Sequence, residues 1–355
     1  MPVESISPFS PTGFSMITLT KRVNRVGYSS HFLDKLGLFK DVPIKTTTFA
    51  TEDLAISPGF VPVTARGSAA TPYASPKRKD IFFQTQRIAE SVDLTADMVQ
   101  NIRAGIDDIQ VSELSVELSN VLDTLANQLR NLRENHHELT FEKWRIQSLI
   151  GTLYDSDNST VIYNWFTEFN QSAQSVDFAF ATSDDKAIKC HSATNKLANV
   201  ASNLDYKPVA LCDPIFFDRL TTNASVKASY QNRVIINYNQ DPLIQNMYEK
   251  GFYFQGILFV VPYTNKIAGI DLIADKGSNP TNGTAYLFPF GADNLYRIMA
   301  PADYMECVNT PGMPVYAKMA PDPSGMNRFM KCELNSQGMM INTRPEATIQ
   351  LTSSN

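Results

Sequence analysis

The sequence predicts an α+β fold, and three observations along the chain carry that prediction. A stretch from Ile44 to about Glu90 reads as strand, irregular tip and strand. A segment from Val111 to Tyr154 carries apolar residues at helical spacing. Beyond about Asp184, strand-like apolar runs mix with short helical segments, and the chain closes on a strand. At 355 residues the chain can bury about 75% of the surface its unfolded form would expose, and length alone suggests about two domains.

Residues 1–43 read as an arm. Pro2, Pro8, Pro11 and Gly13 break up its start, and a short helix is expected from Ser30 to Leu38. So little apolar material must pack on the body of the chain or on a neighbour. Next, Lys45 to Ala50 is rich in β-branched residues, and Asp80 to Thr85 answers it as a second strand. Between them lie Pro58, Gly59, Pro62, Gly67, Pro72 and Pro76. A structureless insertion of this length is uncommon inside a compact domain, whereas a projecting hairpin accommodates it. Its apolar residues Phe60, Val61, Val63 and Tyr73 then require a partner surface.

Leu114, Leu118, Val121, Leu125, Leu129 and Leu132 form one apolar stripe on a long helix. Trp144, Leu149, Ile150 and Leu153 continue an apolar face beyond His136 and His137, which are expected in solvent. Gly151 loosens the last turn, and Asp155 to Ser159 read as a polar turn that only faintly resembles a calcium loop. Thr160 to Phe166 read as a returning strand. Further on, Ile215–Leu220 and Ser225–Tyr230 are expected helices. Gly251 to Val260 is an expected buried strand, and Ala285 to Pro289 is one stopped by its proline. In the tail, Ala347, Ile349 and Leu351 alternate along a closing strand from Glu346 to Thr352.

Hydrophobic residues make up 43% and charged residues 19%, which is a folded composition, and net charge is -5. A protein gripping nucleic acid through counterion release would show a basic face. The compact basic run is Lys77-Arg78-Lys79, with Lys21, Arg22 and Arg25 near the start; a solvated or subunit-contacting turn is the better reading of either. Cys190, Cys212, Cys307 and Cys332 form no CxxC pair and do not group with the four histidines, so free thiols are expected and no metal residue is nominated. Cys190 and His191, read as strand neighbours, would point apart. There is no apolar run of 18 residues and no charged start followed by an apolar core, so a soluble chain made in the cytoplasm is expected, with no membrane contact. GxSxG, HExxH, Walker and GxGxxG patterns are missing from the sequence. The carboxylate pairs Asp107-Asp108 and Asp184-Asp185 suit helix starts or solvent, and Asp213 reads as an N-cap. No catalytic, cofactor-binding or metal residue follows, and the chain reads as a non-enzyme.

Several segments resemble a known family. Gly251-Phe252-Tyr253-Phe254-Gln255-Gly256-Ile257 is similar to the F-x-F-Gly-Gly-Ile strand of lambda-type major capsid proteins, the major capsid protein E family. Leu287 to Gly291 resembles that family's F-P-x-G turn. Ala300 to Tyr304, followed by Val308 to Lys318, resembles its aPAdy and nT-x-Glp-x-Yak block, and Arg344-Pro345 fits before the closing strand. Ala210 to Asp218 resembles a-l-c-G-x-x-F-f-d, with Asp213 where glycine is frequent. Trp144 to Asn158 resembles l-x-G-x-x-x-D-a-d-G, with Asn158 at the glycine position, where either residue suits a left-handed turn. The matches run in family order from about residue 45 to the C-terminus.

The resemblance implies the HK97-like capsid fold. It assigns an N-terminal arm to residues 1–43, an extended E-loop to 44–90, a peripheral domain with a spine helix to 91–183, an axial domain to 184–307, and a return to the peripheral domain over 308–355. It implies self-assembly into pentamers and hexamers of an icosahedral head in the virion, formed in the host cytoplasm, with the E-loop lying over a neighbour. Phe60, Val61, Val63, Arg66, Tyr73, Lys77 and Arg78 are the candidate contact residues. The implied partners are copies of the chain itself, portal and scaffolding proteins, and a decoration protein; DNA is enclosed without specific binding, and no cofactor is implied. Rival readings are an encapsulin-like compartment, which shares the fold, and a carbohydrate-binding module or carboxylate-dependent hydrolase, which would purify as a monomer or small oligomer.

Overall fold

The computed structural model describes residues 16–25, 32–54, 63–67, 78–95, 127–182, 185–201, 205–231, 248–262, 266–267, 270–271, 283–322, 324, 326 and 328–354. The first described elements are helix α1 (Met16–Arg25) and helix α2 (Phe32–Leu36), the latter shorter than the predicted Ser30–Leu38. Strand β1 (Lys40–Pro43) follows, then the hairpin strands β2 (Thr48–Leu54) and β3 (Arg78–Gln84), then β4 (Gln86–Thr95). Residues 127–150 form one helical run, α3, whose Arg133–His137 segment is π-helical. The predicted positions 111–126 lie outside the described residues. The run ends at Ile150 rather than Tyr154, because Gly151 takes φ 106° and an added Cβ there would meet the Phe166 ring at 2.2 Å.

Strands β5 (Thr152–Tyr154) and β6 (Val161–Asn164) then form a small hairpin. At its turn Asn158 adopts φ 56°, the left-handed geometry expected at that position. The strand predicted through Phe166 stops early, since Asn164 caps the short helix α4 (Trp165–Glu168) by accepting from Phe166 N and Thr167 N. Then come β7 (Gln174–Asp177), α5 (Lys186–Val200), β8 (Lys207–Cys212), α6 (Pro214–Thr222) and α7 (Ala224–Gln231). Asp185 and Asp213 cap α5 and α6, as expected of carboxylates at helix starts. Cys190 and His191 lie on α5, a helix and not a strand.

The expected strand over 251–260 is instead a hairpin of β9 (Tyr248–Phe254) and β10 (Ile257–Pro262), folded at Gln255 and Gly256, both with positive φ. A two-residue ladder of β11 (Lys266–Ile267) and β12 (Ile270–Asp271) precedes β13 (Thr284–Phe290) and β14 (Leu295–Met299). Proline does not stop β13. Pro289 sits opposite Pro208, where β17 no longer flanks the strand, so its missing N–H costs no ladder bond on that side. The chain finishes with β15 (Tyr316–Pro321), β16 (Phe329–Asn342) and β17 (Ile349–Thr352), the last shorter than the predicted closing strand.

Two sheets organise these elements. The six-stranded sheet has the order β7-β17-β13-β8-β10-β9 and is covered on both faces. Ala210, Cys212, Phe259, Val261, Ala285 and Leu287 face α5, α6 and α7. Val209, Leu211, Val260, Tyr286 and Phe288 face the other way, onto Phe32 and Leu33 of α2 and Ile146 and Leu149 of α3. This is why the sequence shows unbroken apolar runs there: successive side chains enter opposite cores. The second sheet centres on β16. β4 lies along one edge, β14 and β15 run end to end along the other, and β1 lies beyond β14.

Helix α1 packs on the body of the chain. Leu19 and Val23 of α1 bury against Leu129, Val315, Ala317 and Leu334. The Thr20 hydroxyl accepts from Ala317 N at 3.1 Å, and Asn24 Nδ2 donates to Val315 O at 3.0 Å. These side chains occupy backbone groups at and beside β15 that would otherwise be open to strand pairing.

Helix α3 departs from the predicted single stripe: every residue from Phe141 to Leu149 is buried. Its polar side chains are tied to other parts of the chain. Glu142 accepts from Leu33 N at 2.7 Å and from Arg145 at 3.1 Å, and Arg145 also reaches Asp34 at 2.7 Å. Lys143 donates to Asp155 O at 2.6 Å. His136 is exposed, pairing with Glu90 at 3.2 Å, but His137 is fully buried, with Nδ1 3.0 Å from the Ser336 hydroxyl. The expectation of two solvated histidines holds for the first alone, because consecutive helix positions face different surroundings and β16 covers one of them.

Candidate subunit-contact surfaces

The hairpin pairs Thr48 with Gln84 through to Leu54 with Arg78. Its two faces differ sharply. On the inner face Phe83 is 2% exposed, with its ring 5.4 Å from Trp165, 5.5 Å from Tyr163, 5.7 Å from Phe49 and 5.8 Å from Phe169. On the outer face Phe82 is 73% exposed. Adjacent strand residues must face opposite ways, so one of two neighbouring phenylalanines emerges from the body.

Of the candidate contact residues, Val63 is wholly exposed and Arg66 is exposed, in a turn where Gly67 has φ 91°. Arg78 opens β3 opposite Leu54. Phe60, Val61, Tyr73 and Lys77 lie outside the described residues. Sequence reasoning missed Phe82 as a contact candidate, although the Phe82-Phe83 pair on a predicted strand held the signal.

A second exposed apolar group lies between β14 and β15, where Met305 is 87%, Val308 61% and Met313 42% exposed. This excursion is anchored by Gly312, whose N–H donates to Ile44 O at 2.9 Å; a Cβ there would stand 2.2 Å from Met299 O. Over the neighbouring sheet face runs a charged network. Arg87 meets Asp303 at 3.0 Å and Glu333 at 2.7 Å, Tyr304 donates to Glu333 at 3.0 Å, and Lys318 reaches Glu306 at 2.9 Å. Burial, then the Glu333 carboxylate, push the Tyr304 hydroxyl upward, so it stays a donor. These groups satisfy one another and leave no surplus cation for phosphate.

Cys190, Cys212, Cys307 and Cys332 are buried free thiols. Burial pushes Cys190 and Cys332 up to about 12, which makes them poor nucleophiles. Among the described residues no three His, Cys, Asp or Glu side chains gather as a metal site, and no helix is long and apolar enough to cross a membrane. At the polar turn, Asp157 accepts from the N–H and hydroxyl groups of both Ser159 and Thr160, which hold its carboxyl well below the usual range. Its lone pairs stabilise the turn itself.

Comparison with known proteins agrees with this architecture. The family model described as Phage major capsid protein E matches residues 15–353. The chain is 26% identical to the major capsid protein of Pseudomonas phage KPP10 over 64% of its own length and 66% of that protein. It is 23% identical to the major capsid protein of Salmonella phage Felix O1 over 85% of its length and 87% of that protein. The crystal structure of a candidate capsid protein from a prophage of E. coli CFT073 superposes with TM-score 0.58 at 11% identity, covering 96% of this chain and 99% of that one. At that identity the likeness shows a shared fold, the HK97-like α+β capsid fold that the sequence resemblance implies. The chain belongs to the phage major capsid protein E family.

Proposed function

We propose that this chain assembles with copies of itself into pentamers and hexamers that close an icosahedral head around phage DNA. The observation that carries this reading is the hairpin, whose inner face is used within the subunit while Phe82 and Val63 on its exposed parts await a cover. A hairpin laid over a neighbour repeats one heterologous contact around a ring, and closure at five- and six-fold axes makes the lattice finite. Many modest contacts then hold the shell together through multivalency.

In this reading residues 1–43 are the arm, 44–90 the E-loop, 91–183 the peripheral domain with α3 as its spine, 184–307 the axial domain and 308–355 the return. Val63, Arg66 and Arg78, with Phe60, Val61, Tyr73 and Lys77, join Phe82 at the neighbour. Portal, scaffolding and decoration proteins are the further partners. DNA is held by confinement, since a chain of net charge -5 offers no general excess of cations. The protein acts as wall and not as catalyst, and it assembles in the host cytoplasm.

Replacing residues 55–77 by an Asn-Gly turn tests this, because it closes β2 on β3 while keeping Phe49 and Phe83 in place. The expected product is a soluble subunit that forms no shells in electron micrographs. Normal particles from that variant would contradict the hairpin's role.

A further inference from the structure

We propose that Tyr163, Thr85 and Gln337 form a root that fixes the direction in which the hairpin leaves the subunit, and that this direction decides whether copies close into uniform shells. The inference rests on the reading that the hairpin lies over a neighbour. Strands β3 and β4 are almost one strand, broken only at Thr85, where the chain passes from pairing with β2 to pairing with β16. A two-stranded ribbon is marginal alone and would swing at such a joint. At 3.3 Å per residue, a tilt of about 10° there would carry the far end of the seven-residue strands roughly 4 Å sideways.

The joint is held from three sides. The Tyr163 hydroxyl accepts from Gln84 N at 3.1 Å and donates to Gln84 O at 3.2 Å, so one side-chain oxygen stands in for a neighbouring strand at the last hairpin residue. Gln337 Nε2 donates to Thr85 O at 3.1 Å and to Thr85 Oγ1 at 3.0 Å, tying the joint to β16. Thr85 in turn donates from N and from Oγ1 to Thr47 O, at 3.0 and 2.9 Å, locking the base of the opposite strand. The Tyr163 ring is stacked on Trp165 at 5.4 Å and meets Phe83 edge-on, so the hydroxyl is aimed by a packed ring. All three are positioning residues at the base of the hairpin.

The test uses the full chain with Tyr163→Phe, which keeps the stacked ring and deletes only the hydroxyl, and Thr85→Val, which keeps the shape and deletes the other. Thr85→Ser retains the hydroxyl and is the conservative control. Expected for Tyr163→Phe and Thr85→Val are a thermal midpoint close to the parent's, roughly tenfold faster hydrogen exchange at β2 and β3 amides, and particles of mixed diameter or open sheets. Thr85→Ser restores uniform shells. Parental diameter distributions from both hydroxyl-deleting variants, while the 55–77 replacement abolishes assembly, overturn the root but leave the hairpin reading standing. Normal shells from the 55–77 replacement overturn that reading and the root with it. Because Thr85 is buried, Thr85→Val that does not fold leaves Tyr163→Phe, at a half-buried side chain, to decide the matter alone.

Discussion

The six-stranded sheet and the hairpin of β2 and β3 solve the same problem in opposite ways. Both are strands with two apolar faces: Leu211 and Cys212 in one, Phe82 and Phe83 in the other. The sheet covers both faces within the chain, α2 and α3 on one side and α5 to α7 on the other. The hairpin covers only the Phe83 face and leaves Phe82 exposed. The sheet is therefore part of what makes the subunit fold, and under the proposed function the bare hairpin face is what a neighbouring copy covers. A subunit of a shell needs both properties, and here they sit on different elements.

The comparison is broken most severely from the sheet side. Phe259→Ala removes a fully buried ring and should cost about 3–5 kcal/mol, measured by denaturant unfolding of the soluble subunit. Phe82→Ser, by contrast, should shift subunit stability by no more than about 0.5 kcal/mol while sharply reducing the yield of closed particles in micrographs. Equal losses of stability from the two would erase the distinction.

Burial, then the neighbouring His136 and Arg133, push His137 down from 6.5 to about 4. The nearby carboxylates, Glu138 and Glu90, are engaged by Arg133 and His136. Below pH 6.5 the unfolded chain takes a proton that the folded chain refuses until about pH 4. Stability is therefore complete above that window and falls as the medium is acidified through it, by up to about 3 kcal/mol. Denaturant midpoints between pH 7.5 and 4 should fall more steeply in the parent than in His137→Gln. Matching slopes would contradict the buried, neutral state.

Gly312→Ala should cost about 1–3 kcal/mol by forcing backbone away from Met299, and so loosen the junction that receives Ile44 at the foot of the hairpin. The smallest effect is expected at Asn158, whose φ of 56° glycine adopts freely. Asn158→Gly should raise the thermal midpoint slightly, by less than about 1 kcal/mol in stability, with shell yield unchanged.

Much of this architecture is legible in the sequence, for local reasons. The β-branched run at Lys45 to Ala50 and the answering run at Asp80 to Thr85 announce the hairpin of β2 and β3, although β2 starts only at Thr48 and runs on to Leu54. Asp213 before Pro214, and the glycine-like site at Asn158, declare their roles through backbone chemistry alone. What stays hidden depends on distant partners. Glu142, Lys143 and Arg145 look like a solvated helix face until Leu33, Asp34 and Asp155 close over them. His137 looks like His136 until Ser336 covers it. Tyr163 shows nothing in sequence of its bond to Gln84, 79 residues away. The tip candidates stand out by their apolar character among prolines and glycines. Phe82, the exposed aromatic on the rooted part of the hairpin, is masked by its neighbour Phe83, and only strand parity separates the two.

The outer hairpin face is open in the subunit and, under the proposed function, covered in the shell; thiol labelling of Phe82→Cys tests this most directly. The four native cysteines are buried, so the introduced thiol is the reactive one. Maleimide should modify it rapidly in the unassembled chain and be largely excluded once shells have formed. Equal labelling before and after assembly would contradict the account.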